Sequence, residues 1–257
     1  MEKLQAATED ELFEDAMIRL NELVQMGTGA IEIKSGYGLT LDSELKMLRV
    51  IKRLKENTDV TIKSTFLGAH TLPKEYKDDK DGYMDLVINE MLPIVAKEKL
   101  ADYVDIFCEN GYFTIEDTKN LLTAANKLGL QSKTHVNQFN AIGGIKVSVD
   151  LGALSVDHLE EMEEEDYEAL KRSNCMPTIL PSCSFFLKIP YGPAKRMIDE
   201  GLAVALASDY NPGSSPSGNM NFVSSLACLK MNMTPEEVIN ATTINSCLLY
   251  TSDAADD

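Results

Sequence analysis

Apolar, β-branched runs alternate with amphipathic runs along almost the whole chain. The strand-like runs are Ala30–Lys34, Thr61–Leu67, Tyr103–Cys108, Gln131–Val136, Ala153–His158, Cys175–Leu180 and Ala203–Ala207. Between them apolar residues return at helical spacing. Leu12, Met17, Leu20 and Leu23 follow Thr8-Glu9-Asp10-Glu11, which is patterned as a capping box. Leu45, Leu48, Ile51 and Leu54 follow a start at Thr40 or Asp42. Further helices are expected over 82–98, 114–127, 142–150, 163–172, 193–200, 219–231 and 235–245. Gly27, Gly129, Gly152 and Gly201 each follow a helical run, as C-cap glycines do. Strand–helix alternation with no run of consecutive strands predicts parallel pairing through right-handed crossovers.

This pattern predicts an α/β fold, a (β/α)8 TIM-type barrel. Seven strands are legible rather than eight, and the chain opens on a helix, so the first strand of the barrel is expected to be missing. A doubly wound open sheet is the alternative. Its first turn usually carries a glycine-rich phosphate loop, and Ser35-Gly36-Tyr37-Gly38 is not one. No linker or repeat interrupts residues 1–246, which are expected to form one partial barrel. Residues 247–257 lose the helical periodicity and are expected to be a non-native read-through tail.

At 257 residues, 44% hydrophobic and 25% charged, the chain has ordinary globular composition for one such domain. Its net charge of −17 argues against nucleic-acid or anionic-membrane surfaces, since both require local Lys/Arg excess. Five cysteines without a CxxC pair fit a reducing compartment. The N-terminus lacks a signal-peptide pattern and no long apolar stretch is present, so a cytoplasmic location with no membrane span is expected.

The candidate chemistry lies at strand ends. All three histidines, His70, His135 and His158, close such runs, and so does Ser208-Asp209. Metal-ligating and acid/base residues at successive strand ends are how a β/α barrel builds its active face, which makes this a barrel of the metal-dependent hydrolase kind. His135 and Asp209 are candidate ligands of a divalent metal, with Asp209 also able to accept a proton from the attacking water. His135 reads equally as a satisfied structural histidine. His158 reads as a proton carrier, or as a histidine bonded to its neighbour Asp157. His70 reads as a substrate contact or a loop histidine, and Tyr37 as a ring presented to a cleft or packed on the next helix. Asn211, Gly213 and Ser214 offer an amide, a backbone N–H and a hydroxyl that suit a carboxylate, or else form an ordinary Pro-Gly turn. Glu109 reads as a solvated or pairing carboxylate, and the run 160–166 as a solvated helix start.

Taken together, Glu32-Ile33-Lys34-Ser35-Gly36-Tyr37-Gly38, Glu44-Leu45-Lys46-Met47-Leu48, Phe66-Leu67-Gly68-Ala69-His70, Asp157-His158-Leu159-Glu160 and Ser208-Asp209-Tyr210-Asn211-Pro212-Gly213 closely resemble the imidazolonepropionase family of the amidohydrolase superfamily. The resemblance runs from about Thr8 to Ser246. It implies hydrolysis of the ring amide of 4-imidazolone-5-propanoate to N-formimidoyl-L-glutamate, a step of histidine degradation, with one divalent metal, zinc or iron. It implies His135 and Asp209 as metal ligands and Tyr37, His70, Asn211, Gly213 and Ser214 as substrate contacts. His158 is implied to polarise or protonate, and Asp209 to accept and return a proton. Gln138 stands where many relatives carry a glutamate; it can hydrogen-bond the substrate but cannot act as a base. The family's His-x-His motif, which supplies two more ligands, is absent from this sequence. The chain is therefore expected to lack the front and back of its parent and to be weakly active or inactive. A small-molecule substrate and a homodimer are the expected partners. Other readings are another amidohydrolase, of the deaminase or dihydroorotase-like kind, and a metal-free barrel that only binds a metabolite.

Overall fold

The computed structural model describes residues 1–250. The described residues divide into two compact units, one running from Met1 to Lys133 and the other starting at Thr134. Seven strands are β1 (Ala30–Lys34), β2 (Thr61–Ala69), β3 (Tyr103–Cys108), β4 (Gln131–Val136), β5 (Ser155–His158), β6 (Met176–Ile179) and β7 (Ala205–Leu206). Pairing is parallel wherever its register is defined. In the first unit β1 pairs with β2 and β2 with β3; in the second β5 pairs with β6 and β6 with β7. A helix separates each strand from the next, so this is the expected α/β fold.

In the first unit the helix Glu9–Gln25 starts as the sequence predicts. The Thr8 hydroxyl accepts the Glu11 N–H at 3.2 Å and the Glu11 carboxylate accepts the Thr8 N–H at 2.8 Å. The helix Leu41–Lys55 buries Leu45, Leu48, Ile51 and Leu54, the four residues its spacing singled out. Each contributes roughly 1.5–3 kcal/mol by leaving water. Phe66, Leu67, Val104 and Ile106 from β2 and β3 are buried as well. The β2–β3 register shifts between Phe66 and Ala69. Gly68 sits in that irregularity because the Phe66 ring covers it: a Cβ there would stand 2.5 Å from a ring carbon. The expected helix over 82–98 is present but changes winding. A π-helical segment over Leu86–Met91 precedes Leu92–Glu98, because Pro93 donates no N–H and its ring crowds the carbonyl four residues back.

In the second unit the last three strands are shorter than the apolar runs suggested. Helices occupy Gly144–Asp150, Glu164–Lys171, Ala194–Asp199, Met220–Met231 and Pro235–Thr242. Pro181–Leu187, directly after β6, is also helical and was not anticipated. The helix Ile244–Leu248 continues into the expected tail; Leu249 is buried against Met176 and Ala205, and Tyr250 packs beside them. The rest of that tail, 251–257, lies outside the described residues. No helix among the described residues is long and apolar enough to cross a membrane.

Candidate functional site

In the first unit the loop after β1 is held from two sides. The Leu67 N–H donates to the Ser35 hydroxyl at 3.0 Å. The fully buried Glu44 carboxylate accepts N–H groups from Gly36 at 2.9 Å, Gly38 at 2.8 Å and Leu39 at 2.9 Å. Burial pushes the Glu44 carboxyl above its usual range, against the pull of those donors. Gly36 takes φ +103°, and a side chain there would meet the Leu67 carbonyl oxygen at 2.8 Å. The loop presents Tyr37, half-buried, edge-on to His70 with ring centroids 5.1 Å apart. His70 Nδ1 lies 2.9 Å from the Gly36 carbonyl oxygen. A carbonyl only accepts, so this contact puts a proton on Nδ1. Sequence reasoning singled out Tyr37 and His70 separately; the fold brings them together.

The same unit buries a charge cluster. Glu32 meets Lys34 at 2.6 Å and Lys133, and Lys34 also reaches Asp105 at 2.9 Å. Thr65 donates to Glu32 at 2.5 Å. Burial would raise the Glu32 carboxyl, but the two lysines outweigh it and hold it at about 2. Glu109 is also buried, not solvated.

The second unit gathers both remaining histidines. His135 from β4 and His158 from β5 stand with ring centroids 5.3 Å apart, and both are buried. His158 and Leu159 have φ +90° and +65°. Two successive side-chain-bearing residues in the left-handed region cost of order 1–3 kcal/mol each, strain that clusters at working sites. The turn swings Glu160 back, so that its Oε2 faces His158 Nδ1 at 3.5 Å while its Oε1 accepts the Ser184 hydroxyl at 3.0 Å. Glu160 is thus buried rather than part of a solvated helix start. Cys183, on the helix after β6, completes a group with His158 and Glu160 whose ligand atoms all lie within 4.8 Å of one another. The Gln138 amide donates to Cys183 Sγ at 3.4 Å. Burial alone would lower the His158 imidazole; its contacts with Cys183 and Glu160, and the charges of Glu160 and Asp209, raise it well above the usual range.

Asp209, half-buried with φ +51°, heads the turn after β7. Asn211 donates to the Asp209 carbonyl at 2.7 Å and to the Ser214 hydroxyl at 2.8 Å, and that hydroxyl donates to Asp209 Oδ2 at 2.9 Å. Asn211 Oδ1 accepts the Gly213 and Ser214 N–H groups, each at 2.8 Å. The four residues form one hydrogen-bonded turn whose polar atoms shape the Asp209 carboxylate. Sequence reasoning missed Glu160 and Cys183: the first looked like part of a charged run, and nothing marked the helix carrying the second.

These donors suit a divalent metal. Imidazole nitrogen, carboxylate oxygen and thiol sulfur are its common protein ligands, and here they are buried at close quarters. His135 and Asp157 also bring ligand atoms within 4.8 Å. Among the described residues Asp209 belongs to neither close donor group; its link to them is the electrostatic pull it exerts on His158.

No family model matches the chain. It is 65% identical over 242 residues, 94% of its length and 59% of the relative's, to imidazolonepropionase of Christiangramia forsetii. It is 61% identical over 243 residues, 95% of its length and again 59% of the relative's, to imidazolonepropionase of Flavobacterium johnsoniae. The chain thus spans about 59% of the length of these curated relatives. Among solved structures it resembles an adenosine deaminase of Xanthomonas campestris with bound zinc, with TM-score 0.69 and 11% identity over 95% of this chain and 58% of that one. It also resembles a mutant atrazine chlorohydrolase of Arthrobacter aurescens complexed with zinc and atraton, with TM-score 0.70 and 15% identity over 95% and 61%. At such low identity the likeness establishes the fold alone.

Proposed function

Because the aligned sequence belongs to the imidazolonepropionase family, we propose that this chain carries groups for hydrolytic opening of the ring amide of 4-imidazolone-5-propanoate to N-formimidoyl-L-glutamate. The observation that carries the reading is the set His135, His158 and Asp209 in the second unit: two buried imidazoles 5.3 Å apart, one of them under the electrostatic influence of the carboxylate. His135 and Asp209 would hold a divalent ion, zinc or iron, which when bound polarises the ring carbonyl and makes water a better nucleophile.

The remaining steps belong to side chains. Asp209 accepts the proton of the attacking water through the oxygen that Ser214 does not occupy, then returns it to the departing ring nitrogen. His158, raised in basicity, donates a hydrogen bond to the developing oxyanion. Asn211, Gly213 and Ser214 fix the Asp209 turn and meet the carboxylate tail of the substrate. Gln138 hydrogen-bonds the ring without acting as a base. Tyr37 and His70, paired in the first unit, are substrate contacts. A cytoplasmic location and a homodimer belong to the same reading.

Ring opening tests it. With the chain in excess over 4-imidazolone-5-propanoate and zinc supplied, slow formation of N-formimidoyl-L-glutamate is expected, and Asp209→Asn is expected to reduce it by about 100-fold or more. Equal rates in both proteins, or preferential opening of dihydroorotate, would overturn the reading.

A further inference from the structure

We propose that His158, Glu160 and Cys183 form a binding site for a thiophilic divalent cation of the zinc class, distinct from the pair His135 and Asp209. The three residues come from the end of β5, the strained turn after it and the helix after β6. All are buried, and one ligand atom of each lies within 4.8 Å of the other two. Tetrahedral bonds of about 2.0–2.3 Å would set such atoms roughly 3.3–3.6 Å apart. Small rotamer adjustments suffice to close the group on an ion.

Ser184 occupies Oε1 of Glu160 and leaves Oε2 directed at His158, at a separation too long for a strong hydrogen bond. Gln138 donates toward Cys183 Sγ, and since burial pushes that thiol above its usual range, an ion binding there displaces the thiol proton. The ion-pair partner of Glu160 is His158, not a lysine or arginine. Once the thiol proton is displaced, a buried carboxylate and a thiolate face one imidazole, and the dication neutralises them. Imidazole, carboxylate and thiolate together select zinc-like ions over magnesium or calcium, which prefer all-oxygen shells.

Occupancy has a consequence that rests on the function proposed above. A cation on His158 takes away the lone pair through which that residue carries its proton, so excess zinc would inhibit ring opening. Binding itself does not depend on that function.

Cobalt(II) is the direct probe. Titrated into the chelator-treated 257-residue chain, it is expected to give a thiolate-to-cobalt charge-transfer absorption saturating at one ion per chain. Cys183→Ser should abolish the band, and Glu160→Gln should keep it while weakening affinity by about tenfold or more. No band in the wild type, a full band in folded Cys183→Ser, or unchanged affinity in Glu160→Gln would overturn the proposal. Should Cys183→Ser lose its native circular dichroism, the Glu160→Gln titration decides. Excess zinc should then slow ring opening in the wild type but not in Cys183→Ser. If the chain opens no ring at all, the catalytic reading fails while the cobalt titration still reports the site.

Discussion

The imidazole of His158 stands 5.3 Å, centroid to centroid, from that of His135, at an interplanar angle of 49°. Neighbouring strands deliver the two rings; His158 is set by a left-handed backbone and has the Glu160 carboxylate folded back against it.

The protonation of His158 is measurable by NMR, since the chain contains only three histidines. His158 is expected to titrate well above the ordinary imidazole value of about 6.5. Glu160→Gln should lower its midpoint, because the carboxylate favours the protonated ring. A His158 midpoint below the ordinary value, or one unmoved by Glu160→Gln, would contradict the electrostatics described.

Glu32 links acid stability to a buried lysine. Its carboxyl is depressed to about 2 in the folded chain, against about 4.3 when unfolded. The stability it contributes is complete above the unfolded value and is lost as pH falls from there toward 2. Glu32→Gln would remove the Glu32 carboxylate from Lys133, 2% exposed. Urea denaturation at neutral pH should show a loss of about 3–5 kcal/mol, and the variant's stability should depend less steeply on pH in that acid window. A variant as stable as the wild type would refute the cluster's role.

Glu44 is expected to act through the loop that carries Tyr37. Glu44→Gln replaces one accepting oxygen with an amide NH2, which sets donor against donor at either the Gly36 N–H or those of Gly38 and Leu39. Hydrogen exchange followed by mass spectrometry should show faster exchange in 35–39, with the helix Leu41–Lys55 still protected. Unchanged exchange in the loop would mean the carboxylate is dispensable there.

Ser214 should matter through Asp209 as well as through any ligand. Ser214→Ala removes the hydroxyl that holds Oδ2. Ring opening is expected to fall by about 10-fold, the cost of one hydrogen bond to a charged group, and by less than in Asp209→Asn. Equal losses in the two variants would show that the hydroxyl does more than position the carboxylate.

Much of this was legible in the sequence because it follows from local rules. Apolar periodicity placed β1, β3 and β4 to the residue, and Thr8 and Glu11 announced their capping box. Strand-end position picked out His135, His158 and Asp209. What stayed hidden depends on tertiary placement. The burial of Glu160 follows from two left-handed residues before it, an arrangement no periodicity reveals. Cys183 rides on a helix that begins with Pro181 directly after a strand, too short for a helical repeat to show. Asn211 offered donors and acceptors, and only the folded turn shows most of them engaged with Asp209, Gly213 and Ser214.

Anomalous diffraction from a crystal of the chain soaked in zinc tests the metal-dependent reading most directly. The expected result is an ion bonded at about 2.0–2.2 Å to a His135 nitrogen and an Asp209 oxygen, whether or not a second ion sits beside Cys183. Zinc found only elsewhere, with the His135 and Asp209 side chains left uncoordinated, would contradict it.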